Sequence, residues 1–118
     1  MGILAVYVPE KIAGQALCQL LKRRSLTPQY FQDTDALLED VRFGLVDLIV
    51  LDLSAIPRVS KDLAAILAIL HDIPVIMVTP YATTEKETAN FRDNGYHLLE
   101  KPIRLDEMVR LIQTLRPK

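Results

Sequence analysis

The run 45–51, LVDLIVL, is apolar at every position but one. A strand with water on one side alternates apolar and polar residues. A near-continuous apolar run belongs to a strand covered on both faces, the habit of parallel sheets. This segment narrows the chain to an α/β design, with helices on both sides of a sheet.

The remaining sequence keeps the rhythm that design requires. Short runs at 2–8, 28–32 (with Tyr30 and Phe31), 73–79 and 96–99 read as further strands. Between 12 and 24 the apolar positions Ala13, Ala16, Leu17, Leu20 and Leu21 recur at helical spacing. Asp33 or Thr34 is placed to cap a helix that runs to about Phe43, with Gly44 as its stop. Pro57 and Arg58 fall in a loop, and 61–70 reads as a helix punctuated by Asp72 and Pro74. Thr84 and Glu87 have capping-box spacing for a helix that stops at Gly95. The last helix spans 104–115, with Leu105, Met108, Val109 and Ile112 on its inner face. Five strands alternating with five helices imply a (βα)5 three-layer sandwich with right-handed crossovers.

Bulk properties agree with one cytoplasmic domain covering 1–118. Half the residues are hydrophobic and Trp is absent, so the core is aliphatic. Net charge is −1, and the densest basic cluster is Lys22, Arg23 and Arg24. At a helix C-terminus those charges suit the dipole; they do not make a nucleic-acid surface. MGILAVYV is too short for a signal-peptide core or a membrane span. Cys18, the only cysteine, reads as a small buried hydrophobe or a neutral surface thiol. His71 and His97 have no partners at ligand spacing, which argues against a zinc site.

Three residues stand where three of the strands stop: Asp52, Thr79 and Lys101. In an open parallel sheet, functional groups gather at the carboxyl ends of the strands. A carboxylate, a hydroxyl and an ammonium meeting there can hold a phosphoryl group on a carboxylate, as nucleophile, hydrogen-bond donor and charge neutraliser.

DLIVLDLSAIP around Asp52, IPVIMVTP around Thr79 and LLEKPI around Lys101, in this order and spacing, resemble the response-regulator receiver domains of two-component signalling. The resemblance covers the whole chain. It implies a flavodoxin-like parallel sheet of five strands in the order 2-1-3-4-5, for which CheY is a standard example. It further implies that Asp52 is the residue phosphorylated by a histidine kinase, that Thr79 binds a phosphoryl oxygen, and that Lys101 pairs with the new charge. A cis peptide at Lys101–Pro102, which aims the lysine inward, is also implied, as are protein partners, a histidine kinase or a downstream effector.

The chain departs from that pattern in five places. Receivers end the first strand with two adjacent acids that hold Mg2+; here the place reads Val8–Pro9, followed by Glu10. Mg2+ needs oxygen ligands in near-octahedral geometry, so it would bind only if Glu10, with Asp52, substitutes for the missing pair. Pro80 removes the backbone N–H that follows the hydroxyl residue. Pro57 lies five residues after Asp52, one more than usual, and the glycine usual shortly beyond it is missing. Leu98 stands where an aromatic switch residue is common, with Tyr96 as a shifted counterpart. Loss of one preorganised contact costs a transition state about 3 kcal/mol, roughly a hundredfold in rate, and loss of the metal costs more.

Two helices carry surplus apolar surface. Residues 63–70 are apolar nearly all round, which reads either as a contact face, a homodimer among its uses, or as deep packing with small alanines outward. On the last helix Leu111 is a spare apolar residue. The expectation is therefore a non-enzymatic receiver acting through protein contacts, with weak or no Mg-dependent phosphorylation at Asp52. The alternative is an ordinary phosphoacceptor regulator. A flavodoxin-like enzyme or nucleotide binder lacks a glycine-rich phosphate loop in this sequence.

Overall fold

In the computed structural model, residues 2–8, 10–52, 73–79, 89 and 96–116 are described. The elements are β1 (Ile3–Tyr7), α1 (Lys11–Lys22), β2 (Pro28–Phe31), α2 (Thr34–Arg42), β3 (Val46–Asp52), β4 (Val75–Thr79), β5 (Tyr96–Glu100) and α3 (Leu105–Leu115). The helix expected at 61–70 lies outside the described residues. So does the helix expected at 84–94 except Ala89, which is helical. Pro9, Pro57 and Pro80 also lie outside them.

All strand pairs are parallel, and the order is β2-β1-β3-β4-β5. Side-chain alternation divides the core in two. Ala5, Tyr7, Ile49, Leu51, Val75 and Met77 pack on one face with Leu37 and Val41 of α2. Leu4, Val6, Leu48, Val50, Ile76 and Val78 pack on the other with α1 and α3. Because both faces are covered, β3 is buried along nearly its whole length. Its apolar run is thereby explained.

The caps follow the sequence. The Asp33 carboxylate accepts from the Asp35 backbone N–H at 3.1 Å and starts α2. Gly44, at φ +73°, turns the chain out of that helix toward β3. On α3, Met108, Val109 and Ile112 are buried and Leu105 is half-buried, as the spacing predicts. Leu111 is not spare: it is half-buried and packs against the same core as Ile112.

The inward face of α1 differs from the expected one. Gly14, Cys18 and Leu21 are buried, with Leu17 partly so, while Ala13, Ala16 and Leu20 are exposed. The reason lies at Gly14. A Cβ there would come within 2.2 Å of Tyr30 Cε1, so the helix backbone docks directly on the tyrosine ring. A glycine that carries no hydrophobic weight sets the rotation of the helix.

The opposite end of the sheet is tied by Arg116. Ile3 pairs with Val46 and Leu4 with Leu48, which leaves Asp47 as a bulged extra residue. Arg116, just past α3, places Nε 3.3 Å from both Asp47 carboxylate oxygens and donates through a terminal nitrogen to the Gly2 carbonyl at 2.8 Å.

Candidate functional site

Register brings the expected residues to one edge. Tyr7 is level with Leu51, so Val8 is level with Asp52; Asp52 is level with Val78, and Thr79 with Glu100. Lys101 follows directly. Asp52, Thr79 and Lys101 thus leave the sheet within two residues' rise of each other, at the carboxyl ends of β3, β4 and β5.

Asp52 continues the row Leu48–Val50 on the face shared with α1 and α3. It is the one buried charged residue among those described. Lys101 Nζ donates to Asp52 Oδ2 at 3.0 Å, with side-chain exposures of 39% for the lysine and 9% for the aspartate. Two interstrand spacings, roughly 10 Å, separate β3 from β5, and the long lysine stem spans them. The Lys101–Pro102 peptide bond is cis, as the resemblance implied. The backbone of Thr79 closes β4; its side chain is outside the described part. A carboxylate held beside an ammonium in this way can act as a nucleophile, with the ammonium offsetting charge that develops next to it.

At the end of β1 the chemistry is apolar. Val8 is buried in the core shared by α1 and α3. Its carbonyl accepts from the Tyr30 hydroxyl at 2.7 Å. On the other face, the Tyr7 and Thr34 hydroxyls are 2.7 Å apart. Neither bond was read from the sequence. The signal was present: a strand tyrosine packed against the core takes a partner for its hydroxyl where water is partly excluded.

Glu10 is the exposed N-cap residue of α1, and its side chain makes no cap hydrogen bond. Among the described residues, no three His, Cys, Asp or Glu side chains gather as metal ligands. With an apolar Val8 beside Asp52, the described donor set does not fit a Mg2+ ion, which needs several oxygen ligands.

Tyr96 does not belong to this site. It pairs with Val75 at the start of β5, whereas Thr79 pairs with Glu100 at its end. Four residues of strand, about 13 Å, separate the two levels. Tyr96 is buried in the core cluster that also contains Val75 and Met77, and burial pushes its phenol pKa up. Leu98, partly buried, packs against the same core. No helix among the described residues is long and apolar enough to cross a membrane.

No family model matches the chain, and no curated protein matches its sequence. Solved structures do. The receiver domain of Francisella response regulator 1452 superposes with a TM-score of 0.78 at 20% identity, covering 98% of this chain and 96% of that one. A response regulator receiver protein from Burkholderia phymatum gives 0.75 at 18% identity, covering 98% and 94%. The Vibrio cholerae chemotaxis protein CheY4 gives 0.73 at 16%, covering 98% of each. At these identities the likeness concerns architecture: the chain has the CheY-like fold of response-regulator receiver domains.

Proposed function

We propose that this chain is a two-component receiver domain of atypical kind. It transmits signals through protein contacts, with weak or no Mg-dependent phosphorylation at Asp52 and no catalytic turnover of its own. The observation that carries the reading is the asymmetry around Asp52. The carboxylate and its Lys101 partner are in place, while Val8 puts an apolar side chain where receivers have acid. Thr79 would receive a phosphoryl oxygen. A histidine kinase or a downstream effector is the partner class, and direct nucleic-acid contact is not part of the reading.

The second reading is an ordinary regulator phosphorylated on Asp52, favoured by the 3.0 Å contact to Lys101. Beryllofluoride or acetyl phosphate with millimolar Mg2+ separates the two. Slow or absent change in intact mass and in backbone NMR shifts near Asp52 supports the atypical receiver. Stoichiometric modification of Asp52 within minutes establishes the ordinary one.

A further inference from the structure

The turn after α1 and the first turns of α3 border a polar groove. One hollow, of about 740 Å³, is lined by Arg24, Arg104, Leu105, Asp106, Glu107 and Arg110. A second, of about 340 Å³, adds Val109 and Gln113. The two share Arg24, Asp106 and Arg110, so they form one groove along the side of α3. Arg24 pairs with Asp106 across it.

The groove's own acids leave much of its donor capacity unused. Arg104 and Arg110 are exposed and make no ion pair among the described residues. The Arg24–Asp106 pair is itself open to water, with side-chain exposures of 43% and 77%, so it is held weakly and can be exchanged. Lys22 and Arg23, also exposed, precede Arg24. Each guanidinium offers five N–H donors in a planar fork that fits a carboxylate.

The placement of the acids selects the occupant. Asp106 and Glu107 stand among the arginines, so the evenly spaced phosphates of a nucleic acid would meet carboxylates. A peptide can set its carboxylates opposite the arginines and keep the intervening positions neutral. We propose that this groove docks an acidic peptide segment of a partner protein. Its carboxylates are taken by Arg104, by Arg110 and, in exchange for Asp106, by Arg24. The proposal rests on the reading of the chain as one that acts through protein contacts, and gives that contact a place and a chemistry.

NMR titration of the whole chain with a short glutamate-rich peptide tests it. The expected result is saturable shifts confined to residues 22–24 and 104–113, with a dissociation constant on the order of 0.1–1 mM that weakens as salt is added. Arg110→Glu is expected to weaken binding at least about tenfold, and Asp106→Asn to tighten it by releasing Arg24. Arg42→Glu makes the same charge change on α2, across the sheet, and should leave binding unaltered. Circular dichroism confirms that each variant is folded. Shifts spread over other surfaces, equal losses from Arg110→Glu and Arg42→Glu, or tighter binding of a single-stranded oligonucleotide than of the peptide overturns the proposal. Beryllofluoride reads Asp52 alone, so its result and this one fail separately.

Discussion

The ring of Tyr30 fills the space that a side chain on residue 14 would need, since a Cβ there would lie 2.2 Å from Cε1 and 2.8 Å from Cδ1. In an exposed helix, Gly→Ala stabilises by about 1 kcal/mol. Here the ring must move, and its hydroxyl would leave the Val8 carbonyl. We expect Gly14→Ala to destabilise the fold by about 1–3 kcal/mol, in the range of other overpacked cores. Combined with Tyr30→Ala, the same substitution should turn neutral or stabilising. Urea denaturation of the four species measures the coupling, and a Gly14→Ala effect that ignores residue 30 would refute the account.

That contact also marks the limit of sequence reading. Strand positions were legible because an aliphatic run buried on both faces, such as 45–51, has few other uses. Asp52 and Lys101 were legible because each follows a strand-like run, and in a parallel sheet the carboxyl ends of the strands lie along one edge. The face of α1 was not. Ala13, Ala16, Leu17, Leu20 and Leu21 form a regular apolar row, whereas the true inner face contains a glycine and a cysteine. What decides the rotation is the close approach to Tyr30, a long-range contact with no local trace. Tyr96 was misplaced for a related reason: proximity to Lys101 in sequence says nothing about which end of a strand a residue occupies.

Removing either partner of the Asp52–Lys101 pair should have unequal effects. Lys101→Met leaves a nearly buried carboxylate beside the apolar Val8 and Val78 end of the core. Asp52→Asn removes that charge and leaves a partly exposed ammonium that water can solvate. We expect about 1–3 kcal/mol lost for Lys101→Met, less than for a fully buried pair because the lysine is partly exposed. Asp52→Asn should cost less, and adding it to Lys101→Met should recover part of the loss. Thermal and urea unfolding of the cycle check this ordering.

Alkaline pH should weaken the fold. Burial pushes the Cys18 thiol above its ordinary 9.0, opposed in part by Lys22. Burial, then Cys18 and Tyr7, raise the Tyr30 phenol above 10.0, and burial raises Tyr96. Each group is neutral when protonated, and the unfolded chain loses these protons first. Their contribution is therefore fully present below the ordinary values and is lost as pH rises through the folded ones. Unfolding free energy should fall steadily from pH 9 upward, and Tyr96→Phe should flatten the slope. Native Cys18 should also react slowly with a disulfide reagent and speed up on denaturation. A flat profile between pH 8 and 11 would count against these assignments.

The Arg116 tie makes a different prediction, because its geometry needs a guanidinium. Nε faces both Asp47 oxygens while another nitrogen of the same plane reaches the Gly2 carbonyl. A lysine ammonium is a point charge on a flexible stem and cannot serve both at once. Asp47 and Arg116 are both largely shielded, with side-chain exposures of 15% and 16%, so water replaces the lost bonds poorly. Arg116→Lys should therefore cost nearly as much as Arg116→Ala, about 1–2 kcal/mol. The loss should be local as well as global. Amide exchange should accelerate at Ile3 and Leu4, beside the Asp47 bulge, and remain slow at Val50 and Leu51. A lysine variant as stable as the parent would show that charge alone, rather than the planar fork, closes this end of the sheet.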